Sequence, residues 1–198
     1  MMKNIFIVLS TVFLLQLSFA YPPAVGILGK AKNCLVCHAS NGPWKDERKT
    51  IIDILDKQTK KSLREPDGSF LIKVKRGQTR TLLTVIGRTK EDKAEIPYRN
   101  VWLYIDPMTI ETTSLSKFAP GWDVNLPMAC RVVGDKLDGY EGSKITVLPM
   151  TLRPSDSARD AELILQVMLT KGESVKGNPK KRILGNYFER TVRLKVVD

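Results

Sequence analysis

From Ser69 to the C-terminus the chain alternates apolar and polar residues with a period of two, and this constrains its fold more than any other feature. "SFLIKVKR" sets Phe70, Ile72 and Val74 on one side, and "TRTLLTVIG" follows after Gly77. "RNVWLYID" alternates Val101, Leu103 and Ile105 with Trp102 and Tyr104. "MACRVVG", "SKITVLPM" and "AELILQVMLT" continue the series, and "ERTVRLKVV" closes it with Val192, Leu194 and Val196 opposing Arg193 and Lys195. Turn formers such as "VGDKLDGYEGS" and "KGNPKK" separate the runs. About seven short alternating strands, with no βαβ rhythm and no dinucleotide-binding glycine loop, indicate a mainly β chain folded as an antiparallel β-sandwich.

Before this region, "PWKDERKTIIDILDKQTKKSL" reads as the one helix, from Asp46 to Lys61. Ile51, Ile52 and Leu55 share a face with Ile54 beside them, and lysines and aspartates fill the remainder. Asp46 is placed to cap the first turn, and "EPDGS" ends the run in a turn. The chain opens with Lys3 and an uncharged, mostly apolar run from Ile5 to Ala20, followed by Tyr21-Pro22-Pro23. Small residues at Ser18 and Ala20 fit the spacing of a signal-peptidase site, so residues 1–20 read as a cleaved secretory signal peptide. The competing reading, a transmembrane anchor, needs about 20 apolar residues and a basic stop-transfer cluster, and the run supplies neither.

Removing Lys3 lowers the formal charge from +11 to +10, with basic residues spread along the chain. No Lys/Arg block interleaves with stacking aromatics, which argues against nucleic-acid binding. A basic surface facing an acidic redox partner or an anionic membrane fits better. No carboxylate pair, serine triad or second metal cluster is legible, so no turnover enzyme is expected.

The chemistry concentrates in "NCLVCHAS", residues 33–40, which holds Cys34, Cys37 and His38, the chain's single histidine. Cys-x-x-Cys-His admits three readings. In covalent haem attachment the two thiols form thioethers to the vinyl groups, and the adjoining imidazole turns under the ring to ligate iron. A thioredoxin-like redox pair would open a helix in a βαβ context, which this chain lacks. A zinc site needs a fourth ligand, for which Cys130 remains available. Placement just behind an export signal favours haem, because haem c is attached after export. His38 is then the proximal iron ligand.

With one histidine used, the sixth ligand cannot be a second histidine of this chain. Met108, Met128, Met150 and Met168 lie beyond the signal segment. "IDPMT", "LPMAC" and "LPMT" repeat a Pro-Met pair, which reads as prolines at strand edges beside core methionines. In "LPMACRVVG" period two places Met128, Cys130 and Val132 on one face and Arg131 on the other. Either sulfur, Cys130 or Met128, is a candidate for the distal side of the iron. Ligation would also account for an unpaired thiol in an oxidising compartment.

The "NCLVCH" motif behind an export signal, the one helix, the β-rich body and the lone later cysteine in "MACRV" resemble the NaxLS cytochromes of anaerobic ammonium oxidisers. The resemblance implies one haem c attached through Cys34 and Cys37, with His38 and Cys130 as the axial pair. It also implies a heterodimer with a paralogous cytochrome subunit and binding of nitric oxide or carbon monoxide. Because a β-rich domain of this size covers one face of a haem poorly, a homodimer or heterodimer with the haem edge near the interface is expected. The location implied is the periplasm or an equivalent lumen such as the anammoxosome. The organisation expected is therefore a signal peptide over 1–20, a haem-attachment segment with one helix over 21–66, and a β-sandwich body over 67–198. The function expected is an exported mono-haem c-type cytochrome with low-potential electron transfer, diatomic-gas binding or both. A His/Met electron carrier and a haem-free exported thiol-redox or structural module are the alternatives.

Overall fold

The computed structural model describes residues 33–36, 38–108, 119–125, 128–171 and 183–198. The expected signal segment and Cys37 lie outside the described residues. Ten strands are described: β1 (His38–Ser40), β2 (Thr50–Asp56), β3 (Phe70–Lys75), β4 (Arg80–Arg88) and β5 (Arg99–Ile105), then β6 (Trp122–Val124), β7 (Met128–Val132), β8 (Lys144–Pro154), β9 (Ala161–Thr170) and β10 (Ile183–Val197). They form two packed sheets, so the mainly β sandwich expected from the alternation is the fold. Sheet one runs β1-β10-β9-β5-β7, with β3 also paired to β10. Sheet two runs β2-β4-β8-β6 and is antiparallel throughout. In sheet one, β1 and β3 lie parallel to β10, at Ile183–Gly185 and Val192–Val197 respectively.

The seven alternating runs became β3, β4, β5, β7, β8, β9 and β10. The helix expected over Asp46–Lys61 is not formed: Glu47–Lys49 makes a single 3-10 turn and Thr50–Asp56 continues as β2. Asp46 does cap that turn, its Oδ1 accepting from Arg48 N at 3.1 Å. The strand wins for two reasons. "TIIDIL" is rich in β-branched residues, which favour a pleated surface over a helix. Its apolar residues also serve both faces of a sheet, a requirement that imitates helical spacing. Ile52 and Ile54 enter the main core, while Ile51 and Leu55 join Leu83, Val85 and Ile145 on the outer face of sheet two. Leu137 and Tyr140, from the loop that follows β7, cover that face, and the Tyr140 hydroxyl donates to Asp53 Oδ2 at 2.8 Å.

Between the sheets lie Trp44, Phe70, Trp102 and Tyr104, with aliphatic residues from every long strand. Each such burial contributes on the order of 2–3 kcal/mol. Polar links cross this core. Tyr104 Oη and Thr84 Oγ1 are 2.6 Å apart and join sheet one to sheet two. Asn100 Nδ2 donates to Ile86 O at 3.0 Å and to Thr146 Oγ1 at 3.2 Å.

Candidate functional site

Cys34 opens a 3-10 turn, Cys34–Val36, whose start is held by Asn33 Oδ1 accepting from Leu35 N at 3.0 Å. Its thiol donates to Gln166 Oε1 on β9 at 3.6 Å. Register fixes the face on which this happens. Glu189, Gln166, Leu103 and Met128 share one cross-strand row, and Tyr187, Met168, Val101 and Cys130 share the next. Partners across a sheet point to the same face, and their neighbours Phe188, Val167, Trp102 and Ala129 are in the core. Both rows therefore lie on the outer face of sheet one, and the Cys34 turn rests on it.

His38 belongs to the same face. It is in register with Ile183, in step with Gly185 and Tyr187, and Ser40 Oγ accepts from Tyr187 N at 3.3 Å. The imidazole is half-buried, and its Nδ1 is buried without a hydrogen-bond partner. Burial lowers the His38 pKa from its ordinary value, so the ring is neutral and its nitrogen lone pair is free at neutral pH. Nearby, the Tyr187 hydroxyl is raised by burial, by its hydrogen bond to Glu189 and by the neighbouring Cys34.

The chain leaving the motif is firmly anchored. Gly42 N donates to Gly185 O and Trp44 N to Asn186 Oδ1, both at 2.7 Å. A side chain at position 42 would meet those acceptors at 2.8–2.9 Å, which is why glycine stands there. Trp44 is fully buried, and its Nε1 donates to Glu95 O at 2.5 Å. Arg88, also buried, donates to the carbonyls of Trp44 and Asp46 and to the Thr50 hydroxyl, and pairs with Asp92 at 2.5 Å.

Cys130 and Met128 share the outer face, as the alternation in "MACRV" indicates, with Cys130 exposed and Met128 half-buried. Arg99 Nη1 lies 3.9 Å from the Cys130 sulfur. The structure does not bring Cys130 to His38. They stand on edge strands β7 and β1, with β5, β9 and β10 between them and an offset of four residues along β10. At strand spacing and rise this is roughly 20 Å between Cα atoms. Met128, one row farther on, is more distant still. Cys130 is equally removed as a fourth zinc ligand, and no group of three His, Cys, Asp or Glu suited to a metal occurs among the described residues. Met150 is buried in the main core and Met108 is exposed beyond the end of β5.

A cleft of about 640 Å³ includes Glu47, Arg64, Asp67, Glu189, Arg190 and Arg193 in its lining, where β10 passes from β1 to β3. Arg190 pairs with Glu47 at 3.3 Å and Arg193 with Asp67 at 3.5 Å, so the cleft is polar and internally paired, unlike an apolar macrocycle pocket. Sequence reasoning missed Gln166 and Tyr187 as neighbours of the motif. The signal for Gln166 was present: one buried amide inside the apolar run "AELILQVMLT".

No family model matches the chain. No curated protein matches it either. Among solved structures, it is similar to WR4, a C. elegans MSP family member, at 8% identity and a TM-score of 0.36, covering 75% of this chain and 99% of that one. It is also similar to AvmM, which catalyses macrocyclization in alchivemycin A biosynthesis, at 12% identity and a TM-score of 0.34, covering 76% of this chain and 90% of that one. Likeness at this level carries no functional argument.

Proposed function

We propose that the protein is an exported mono-haem c-type cytochrome that carries electrons at low potential, binds nitric oxide or carbon monoxide, or does both, rather than a turnover enzyme. One observation carries this reading: Cys34, His38, Met128 and Cys130, drawn from a turn and two opposite edge strands, all fall on the outer face of one sheet. The residues fit a haem c on its proximal side. Cys34 is half-buried on a short turn, and His38 offers a neutral imidazole with a buried, unpartnered Nδ1. In this reading Cys34 and Cys37 supply the thioethers and His38 ligates the iron, while Cys130, the sixth ligand that the sequence led us to expect, stands too far across the sheet to share that iron within one chain. Bound there, haem supplies one-electron redox chemistry and an iron position for a diatomic gas. The chain's residues orient it. The Gly42–Trp44 anchor fixes the outgoing backbone, and Gln166 and Tyr187 hold the environment of Cys34. A paralogous subunit or a second copy would cover the exposed side of the face.

The test is expression with haem-attachment machinery, followed by reduction under carbon monoxide. Covalent haem whose ferrous spectrum shifts with the gas supports the reading. A colourless product sinks it.

A further inference from the structure

His38 and Cys130 lie on one face of sheet one yet cannot meet within one chain. A histidine and a cysteine on opposite sides of one iron stand about 10 Å apart at their Cα atoms on standard bond lengths. Here they are roughly 20 Å apart, on edge strands β1 and β7. Cys130 is exposed and His38 is half-buried. The corner around Cys130 has the character of a contact surface. Of the five large apolar side chains exposed among the described residues, Ile96, Tyr98 and Val132 gather there at 49–51% exposure. Val132 shares the Cys130 face of β7 and is in register with Arg99, and Val133 N donates to Tyr98 O at 3.1 Å. Arg99 lies over the Tyr98 ring at 5.5 Å and reaches the Cys130 sulfur with Nη1 at 3.9 Å, while its Nε is buried without an acceptor. An apolar rim around a thiol and an under-satisfied guanidinium fits a partner that brings apolar surface and negative charge. A haem edge has both, in its macrocycle and its propionates.

Resting on the haem reading above, we infer that a second copy of this chain supplies its Cys130 to the iron held by His38, and receives the first copy's Cys130 at its own. A two-fold axis between the two outer faces, passing midway between His38 and Cys130 and perpendicular to the line joining them, exchanges the two positions. One isologous contact thereby completes two sites and sets each Ile96, Tyr98 and Val132 rim beside the partner's His38. Arg99 favours the thiolate: on ligation the thiol proton passes to solvent and the sulfur gives a lone pair to iron. A monomer lacks this sixth ligand, so ligation and dimerisation are one linked equilibrium.

The experiment uses the full-length holoprotein, expressed without any paralogous subunit. Sedimentation should show a dimer whose ferric absorption spectrum is that of low-spin, thiolate-ligated iron, and dilution to monomer should abolish that spectrum. Cys130→Ala should lose it and keep covalent haem on a denaturing gel. Co-expressing Cys130→Ala with a chain carrying Cys34→Ala, Cys37→Ala and His38→Ala should restore it, because the second chain brings a thiol and no haem. A monomeric wild type with thiolate ligation overturns the inference, and so does a wild type whose haem lacks a thiolate; neither measurement needs a variant to fold. A mixed pair that copurifies without restoring the spectrum overturns it equally. A wild type carrying no covalent haem fails the haem reading itself, and the gel distinguishes that failure from the others.

Discussion

Asp92→Ala removes one half of a buried ion pair on which the backbone after the motif depends. The Arg88 and Asp92 side chains are 3% and 7% exposed, and Asp92 Oδ2 accepts from Arg88 Nε at 2.5 Å. Breaking a buried pair from one side costs about 3–5 kcal/mol, because the remaining charge stays in the interior. Here Arg88 keeps three other acceptors, the carbonyls of Trp44 and Asp46 and the Thr50 hydroxyl, so we expect about 3 kcal/mol. For a chain of this size that corresponds to a fall in melting temperature of about 6–12 °C. Arg88→Met should cost at least as much, since it orphans two carbonyls as well, and the double variant should cost less than the two losses added. The pH dependence has a definite sign. Burial works to raise the Asp92 carboxyl, but the Arg88 hydrogen bond and charge and the Ala94 N–H leave it below its ordinary 3.8. A carboxyl depressed in the folded state adds stability above its unfolded value and loses it as pH falls through the folded one. The gap between wild type and Asp92→Ala should therefore be full at pH 7 and shrink below about pH 3.8. Urea unfolding followed by near-ultraviolet circular dichroism measures both. A change under about 0.5 kcal/mol at pH 7 would refute the claim that this pair clamps the Trp44 segment.

Gly42→Ala places a methyl within 2.8 Å of Asn186 Oδ1 and 2.9 Å of Gly185 O; a loss of about 1–3 kcal/mol is expected in the same unfolding assay, and a neutral result would contradict the close approach. Tyr104→Phe deletes the hydroxyl paired with Thr84 across the core and should cost about 1–2 kcal/mol, with Thr84→Val,Tyr104→Phe recovering part of it. His38 is depressed by burial, so in haem-free protein its neutral form contributes stability above pH 6.5 that is lost as pH falls through its folded value. His38→Gln should flatten that part of the curve, and an unchanged curve would contradict the burial of the ring.

Strands such as β3 and β10 were legible because one face is buried against the other sheet, which writes period two into residues such as Val192, Leu194 and Val196. β2 was misread because both of its faces are covered, so Ile51 and Leu55 are as apolar as Ile52 and Ile54. β1 and β6 are three residues long, too short for any period to show. At the site, the types and spacing of Cys34, Cys37 and His38 speak for themselves, and the face shared by Met128 and Cys130 followed from alternation. Distance across the sheet did not, because it depends on strand order. Nothing local in "AELILQVMLT" or "ILGNYF" says that β9 and β10 stand between β7 and β1.

The central claim is that this sheet face carries one covalently attached haem. Intact-protein mass spectrometry, after expression with haem-attachment machinery and denaturation, tests it most directly. The mature chain should gain the mass of one haem, Cys34→Ala,Cys37→Ala should gain none, and Cys130→Ala should gain one like the wild type. A wild-type chain at its unmodified mass, or a haem retained when Cys34 and Cys37 are both replaced, would contradict it.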